Sequence, residues 1–242
     1  MKLQSLFSCI DLTSLSLFDN EKSIECLVQL ALELEKENYP VASVCTFPKY
    51  AGFVSKNLVN SKIKNCCVNS SFPHAQTSLS SKLSDIEEIK PYVDEVDIVI
   101  DLGNFILNKP LVDKQISEIK KALGNKALKV ILETGEIKDE KLLRQICKCA
   151  MRSGADFIKT STGKTAIGAT TNAVKIMAEE IADFQVKEQK TIGLKISGGI
   201  RTLSEVNEYI SVIEAYLPPT YFTNQTFRIG ASSLIDDLNK YR

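Results

Sequence analysis

The chain has 242 residues, of which 44% are hydrophobic, and its 30 basic and 30 acidic residues give a formal net charge of zero. This length and composition suit one large domain with a full core, which we expect to span residues 1–242. The mixed charges, the early Asp11 and the lack of an apolar run of about 20 residues predict a cytoplasmic protein that binds neither nucleic acid nor membrane.

Short apolar runs alternate with amphipathic stretches along the whole chain. The helical stretches include residues 20–37, 139–153 and 171–184, where apolar residues recur at helical spacing. The candidate strands are residues 6–10, 41–46, 63–69, 95–102, 127–133, 155–161, 191–196 and 227–230. Strands that alternate with helices pair in parallel, and eight such units in roughly 240 residues predict a single-domain (β/α)8 TIM barrel of the α/β class. A doubly wound open sheet is the alternative, but it predicts a glycine-rich turn after the first strand, and residues 10–14 contain no glycine.

Two lysines, Lys159 and Lys195, lie within apolar strands, where a charged side chain is unfavourable. Ammonium groups are seldom fully buried without a partner, and desolvation favours the neutral amine. A neutral amine attacks a carbonyl carbon to form a Schiff base. Repulsion between two nearby lysines would favour the neutral form further, so the pair predicts Schiff-base chemistry. The alternative is a structural network with Asp97 or Glu133.

Polar residues at the other strand ends should converge with these lysines, because the active groups of such barrels lie at the C-terminal ends of the strands. These residues are Asp11, Thr13, Cys45, Asp97, Asp101 and Glu133. Asp97 and Asp101 share one strand face by the two-residue period, and their position alone favours Asp101. We expect Glu133 to bond lysines or loop amides rather than to act as an acid.

Glycine- and serine-rich segments follow the seventh and eighth candidate strands, at residues 197–201 and 230–234. Phosphate sites of TIM barrels recur in these two loops. Glycines let backbone amides approach the anion, and serines add hydroxyl donors. The two segments together therefore predict a phosphate-binding site.

The cysteine and histidine content narrows the chemistry. Cysteines stand at positions 9, 26, 45, 66, 67, 147 and 149, and none of them forms a CxxC pair. This odd number in a chain without a predicted signal peptide indicates reduced thiols. His74 is the only histidine, so a multi-histidine zinc site is excluded. We expect no metal.

Residues 157–163, with the sequence FIKTSTG, closely resemble the signature of the deoxyribose-phosphate aldolase family, which comprises class I, Schiff-base aldolases. The likeness covers nearly the whole chain. It includes residues 11–13, 44–48, 72–73, 95–100, 128–135, Lys195 with 198–201, and 227–233.

The resemblance implies a role for each matching residue. Lys159 would be the nucleophile, and Lys195 and Asp97 would form a proton relay, so Asp97 is preferred to Asp101. Cys45 would line the pocket, although packing is its simpler role. The substrate and its phosphate would be surrounded by Thr162, Lys164, Gly198, Gly199, Gly230, Ser232 and Ser233, and we add Asp11 and Thr13 from their position after the first strand.

The implied reaction is the reversible cleavage of 2-deoxy-D-ribose 5-phosphate into D-glyceraldehyde 3-phosphate and acetaldehyde, as in deoxyribonucleoside catabolism. No metal or organic cofactor is implied, and a homodimer is compatible with the resemblance. Leu12, Asp101 and Ile196 depart from the family pattern and leave substrate preference open. The alternatives are a Schiff-base aldolase for another aldehyde acceptor and a non-catalytic barrel that binds sugar phosphate.

Overall fold

Eight parallel strands form a closed barrel in the computed structural model, which describes residues 1–69 and 71–242. Each strand pairs with the next along the chain, and β8 pairs with β1. The strands are β1 (Ile10–Thr13), β2 (Ser43–Thr46), β3 (Lys64–Val68), β4 (Glu95–Val99), β5 (Ala127–Ile131), β6 (Phe157–Lys159), β7 (Gly193–Ser197) and β8 (Phe227–Ala231). The predicted (β/α)8 TIM barrel is confirmed, and the open sheet with two free edges is excluded.

Ten α-helices accompany the strands in the described part of the chain. They are α1 (Leu3–Phe7), α2 (Glu21–Lys36), α3 (Ala51–Asn57), α4 (Leu79–Ile89), α5 (Leu102–Leu107), α6 (Lys109–Leu123), α7 (Glu140–Arg152), α8 (Thr171–Glu188), α9 (Leu203–Glu214) and α10 (Leu234–Leu238). The three predicted helices correspond to α2, α7 and α8, which begin after the capping residues Asn20, Asp139 and Thr170. No helix within residues 1–69 or 71–242 is both long and apolar enough to span a bilayer.

The predicted strand at residues 6–10 is wrong in its position. Leu6 and Phe7 belong to the short helix α1, whose apolar side is buried, and β1 begins only at Ile10. A five-residue apolar run has no period that separates a buried helical turn from a strand. The fourth candidate strand, residues 95–102, ends early at Val99, and the Asp101 carboxylate caps α5 by accepting from the Asn104 backbone N–H.

Alternating residues of the strands divide between two environments. One set, which includes Val44, Val130 and Ile196, joins the large apolar core shared with the helices. The other set meets inside the barrel, where it is unusually polar, as Asp97 and Lys195 illustrate with no solvent exposure. The barrel interior is therefore the place where charged side chains gather.

Candidate active site

Asp97 joins the two predicted lysines inside the barrel. Lys159 at the end of β6 and Lys195 on β7 each donate to Asp97 Oδ2 on β4, and both nitrogen–oxygen distances are 2.8 Å. Lys159 and Lys195 are neighbours in the β6–β7 register, which gives them the same face of the sheet. The structure thus brings Asp97 to the lysines, whereas Asp101 is engaged as a helix cap.

Four further charged residues extend this centre into one buried network, which we call the charge network. Its members are Asp11, Glu95, Asp97, Lys129, Lys159, Lys195 and Arg228. Lys129 Nζ lies 3.1 Å from Asp97 Oδ1 and 2.6 Å from Glu95 Oε2. Arg228 bridges Asp11 and Glu95 at 2.5 and 2.7 Å. Every ionised group therefore has an opposite charge within reach, as buried charges require.

Lys129, Glu95 and Arg228 were missed as members of the site. The signal that pointed to Lys159, a lysine within an apolar strand, is equally present at Lys129, which stands between Leu128 and Val130. Nothing in the sequence pairs Arg228 with Asp11, because 217 positions separate them.

The charge network holds Asp97 and Lys195 in their ionised forms. Burial alone would raise the pKa of Asp97, but Lys129, Lys159 and Lys195 hold it well below its usual range. Burial alone would lower the pKa of Lys195, but Asp11 and Asp97 raise it above the ordinary value. The expected effect of lysine repulsion on Lys195 is therefore outweighed by the two carboxylates.

The charge count of the network sets Lys159 apart from its neighbours. Four cationic side chains face three carboxylates, so the fully protonated network carries one excess positive charge. A surplus charge is unfavourable in a buried site. Lys159 bonds a single carboxylate, whereas Lys129 and Lys195 each lie near at least two. Lys159 therefore has fewer carboxylate partners than the other two lysines of the network, and it is the one that lines the cavity.

A cavity of about 260 Å³ opens at the C-terminal ends of β6, β7 and β8, and Lys159 forms part of its wall. Most of the predicted binding residues line it with Lys159, namely Thr13, Thr162, Lys164, Gly198, Gly199, Gly230, Ser232 and Ser233. Leu15 and Arg201 also line the cavity and were not among the predicted site residues. The cavity therefore joins the Lys159 side chain to the two glycine-rich loops.

Two predicted binding residues do not line this cavity. Asp11 is fully buried in the charge network, where it pairs with Lys195 at 2.6 Å. Cys45 is also fully buried and packs with Leu15, Cys66 and Val68. Asp11 lies two residues before Thr13 on β1 and therefore deeper in the barrel, whereas Cys45 is the register partner of Thr13 but packs against Leu15.

Glycines shape the wall on the side of β7 and β8. Gly198 and Gly199 have φ values of 95° and 84°, which favour glycine over other residues. A Cβ atom on Gly230 would lie 2.9 Å from Ser197 Cβ and 3.1 Å from Lys195 Cε. The absence of a side chain at Gly230 therefore leaves room for Lys195 beside β8.

The loop after β6 is held by Glu133. Its carboxylate accepts from the Thr162 backbone N–H at 3.1 Å and from the Thr162 hydroxyl. Glu133 thus bonds a loop amide, one of the two roles expected for it. Lys164 donates from Nζ to the Leu15 carbonyl oxygen, so the loops after β1 and β6 meet at the cavity. The Lys164 and Arg201 side chains are exposed and add positive charge at the cavity mouth.

A model of the DeoC/LacD family of aldolases matches residues 9–215. The chain belongs to this family of aldolases. The match includes β1 to β7 and helices α2 to α9, and with them the three residues Asp97, Lys159 and Lys195.

Solved structures of other aldolases share the fold of this DeoC/LacD family member. The aldolase QR15 is 30% identical, with a TM-score of 0.79 over 98% of this chain and 95% of that chain. The deoxyribose phosphate aldolase of Aeropyrum pernix, described as a unique tetramer, is 27% identical, with a TM-score of 0.79 over 99% and 92%. A Coccidioides immitis protein, provisionally assigned as a deoxyribose-phosphate aldolase, is 26% identical, with a TM-score of 0.85 over 100% and 87%.

Proposed function

We propose that this aldolase-family protein cleaves 2-deoxy-D-ribose 5-phosphate reversibly into D-glyceraldehyde 3-phosphate and acetaldehyde through a Schiff base on Lys159. The observation that carries the proposal is the position of Lys159. Its amine lies at the wall of the cavity and also 2.8 Å from Asp97, the carboxylate shared with Lys195.

The first chemical step uses the neutral amine of Lys159. Nζ attacks the aldehyde carbon C1 of the open-chain sugar, and loss of water from the carbinolamine gives a protonated imine. The C3 hydroxyl then gives up its proton, the C2–C3 bond breaks, and its electron pair moves towards the imine to form an enamine. D-Glyceraldehyde 3-phosphate leaves as the first product.

The second half of the reaction needs a proton on C2 of the enamine. Asp97 and Lys195 would hold a water molecule that delivers this proton, and in the reverse direction removes it. Protonation gives the imine of acetaldehyde, whose hydrolysis releases acetaldehyde and the free Lys159 amine. The pKa directions of Asp97 and Lys195, an ionised carboxylate beside a retained ammonium, support this division of labour.

The phosphate would bind at the other end of the cavity. The backbone N–H groups near Gly198, Gly199 and Gly230 and the hydroxyls of Ser232 and Ser233 provide neutral donors there. Lys164 and Arg201 would add positive charge at the mouth, with Thr162 and Thr13 completing the wall. The volume of about 260 Å³ suits a five-carbon sugar phosphate rather than a large ligand.

Borohydride trapping tests the proposal directly. The protein is incubated with 2-deoxyribose 5-phosphate, reduced, digested and mapped by mass spectrometry, and we expect a single stable adduct on Lys159. Lys159→Met should abolish both the adduct and acetaldehyde release, because Lys159 is the cavity-lining lysine that bonds Asp97. Lys164→Met is the matched control, since it removes an exposed lysine five positions away and should retain the adduct.

Each other result of this experiment has a defined meaning. A folded protein that binds the sugar phosphate but forms no adduct would refute the proposal in favour of a non-catalytic sugar-phosphate-binding barrel. An adduct on Lys195 would reverse the roles of the two lysines. An adduct on Lys159 only with other aldehydes would indicate a Schiff-base aldolase with a different acceptor.

A further inference from the structure

Two cysteines and the central carboxylate form a compact cluster that the proposed reaction does not use in full. Cys45 and Cys66 are direct register partners on β2 and β3, and both are fully buried. Their Sγ atoms and a carboxylate oxygen of Asp97 all lie within 4.8 Å of one another. Cys66 Sγ already donates to Asp97 Oδ1 at 3.3 Å.

We propose that Cys45, Cys66 and Asp97 bind a thiophilic divalent cation, of the class of Zn²⁺ or Cd²⁺, and that the bound ion inhibits the enzyme. Thiolate sulfur selects soft cations over Mg²⁺ or Ca²⁺, which prefer oxygen ligands. Tetrahedral zinc with two sulfurs and one carboxylate oxygen keeps an open fourth position for water.

The present geometry is close to that required of ligands. Zn–S bonds of about 2.3 Å place two sulfurs of a tetrahedral site somewhat less than 4 Å apart. The three ligand atoms lie within 4.8 Å of one another, so the distances between them must shorten by at most roughly 1 Å. This movement is small, because all three atoms lie at the ends of short side chains on adjacent strands β2, β3 and β4.

The charge balance permits an additional cation in this positively charged interior. The ion replaces the two thiol protons, which leave to solvent, so binding adds no net charge and involves no change of oxidation state. Lys129 now occupies the same side of Asp97, 3.1 Å from Oδ1 and 3.2 Å from Cys66 Sγ. Lys129 can yield this place, because Glu95 at 2.6 Å and Asp11 at 3.5 Å remain as its partners.

Inhibition follows from the position of Asp97. The same carboxylate accepts from Lys159 and Lys195 through Oδ2. A cation on Oδ1 withdraws negative charge from both lysines and from the proton relay. The inhibitory part of the inference rests on the proposed function, whereas binding of the ion does not. The cluster lies close to the cavity, because Leu15 packs against Cys45 and also lines the cavity.

Cadmium titration tests the site in the whole 242-residue chain. A Cys26→Ser parent removes the exposed thiol, and the ultraviolet thiolate-to-cadmium band is followed with Cd²⁺ alone. We expect one ion per chain and a loss of affinity of at least roughly 10–100-fold in Cys45→Ala and in Cys66→Ala. Cys67→Ala is the matched control, because Cys67 is buried next to Cys66 but packs in the outer core. Unchanged affinity in the Cys66→Ala protein would overturn the site.

A second measurement does not depend on the folding of variants. X-ray absorption of the zinc-loaded parent should show two sulfur neighbours and at least one oxygen or nitrogen neighbour. No sulfur, or four sulfurs, would overturn the assignment. Aldehyde release by the parent should fall as the ion binds and return with a chelator. Tight binding without inhibition would confirm the site and overturn its regulatory effect. If the protein has no aldolase activity, the binding data alone decide whether the site exists.

Discussion

Asp97 is the residue on which the candidate site depends. One of its oxygens receives hydrogen bonds from Lys159 and Lys195, and the other faces Lys129 and Cys66. Because the Asp97 carboxylate contacts three lysines, it both balances their positive charge and is a candidate proton carrier. Its replacement should therefore affect proton transfer more than carbon–nitrogen bond formation.

Asp97→Asn should separate the two halves of the reaction. The amide keeps the side-chain shape but loses the charge, so we expect Lys159 still to form a trapped adduct while turnover falls by roughly 10²–10⁴-fold. Hydrogen–deuterium exchange at the methyl group of acetaldehyde, followed by NMR, reports the proton step alone and should slow in parallel. Asp101→Asn is the matched control, because Asp101 caps α5. The methyl exchange rate measured with this variant should stay close to that measured with the parent protein. Equal slowing in both variants would contradict the assignment to Asp97.

Lys129→Met should destabilise the protein more than an ordinary core substitution. Lys129 is fully buried and lies within 3.5 Å of Asp11, Glu95 and Asp97. Its removal leaves these carboxylates with less compensation, which costs on the order of 3–5 kcal/mol of unfolding free energy. Urea denaturation measures the loss. Lys126→Met, a lysine of the same region that is only partly buried, should change the unfolding free energy much less.

The loops after β7 and β8 are the elements that give the cavity its shape. Their glycines permit conformations and close contacts that a side chain would disturb, as at Gly198 and Gly230. The loop after β6 is fixed to Glu133 through Thr162 and to Leu15 through Lys164. The cavity is consequently built by three adjacent strand ends that constrain one another.

Gly230→Ala should impair both binding and turnover. The added methyl group meets Ser197 Cβ at 2.9 Å and Lys195 Cε at 3.1 Å, so β8 or Lys195 must shift. We expect KM for the sugar phosphate to rise and kcat to fall, each by roughly tenfold or more, since sub-ångström misplacement of catalytic groups is costly. Steady-state kinetics measure both constants. Gly52→Ala is the control, because a Cβ there only touches the Tyr92 ring at 3.9 Å. Unaltered kinetics of Gly230→Ala would show that β8 does not constrain Lys195.

At the scale of the whole molecule, the barrel encloses a charge network instead of a purely apolar interior. Asp11, Glu95 and Asp97 all have pKa values below their usual range because lysines and Arg228 outweigh the opposing effect of burial. Closure of the barrel places these groups together from strands β1, β4, β5, β6, β7 and β8. Folding and ionisation are therefore coupled in this protein.

The coupling predicts that acid destabilises the fold. A carboxylate with a lower pKa in the folded state contributes stability above its unfolded pKa of about 4, and this contribution is lost as the pH falls towards the folded value. Each proton taken up on unfolding gives a slope of about 1.4 kcal/mol per pH unit. Denaturation curves measured between about pH 5 and pH 3 give the unfolding free energy at each pH. This free energy should change by more than about 1.4 kcal/mol per pH unit, which corresponds to the uptake of more than one proton on unfolding. The unfolding free energy of Asp97→Asn should depend less steeply on pH. An unfolding free energy of the parent protein that does not change with pH would contradict the coupling.

The sequence by itself determined the architecture of this protein and singled out Lys159 and Lys195 as candidate site residues. The two-residue and 3.6-residue periods are local, and their eightfold alternation along the chain was enough to predict the barrel. Lys159 and Lys195 were conspicuous for an equally local reason, since each places a charge within an apolar strand. The first strand was misplaced because the short run at residues 6–10 lacks a distinguishing period.

Only the tertiary structure decided which groups meet. Strand position alone favoured Asp101, whereas the end of β4 at Val99 turns Asp101 into a cap and leaves Asp97 among the lysines. The pairing of Arg228 with Asp11 depends on closure between β8 and β1, and that of Cys45 with Cys66 on the β2–β3 register. These contacts depend on register and closure, which are properties of the assembled barrel because they relate residues far apart in the chain.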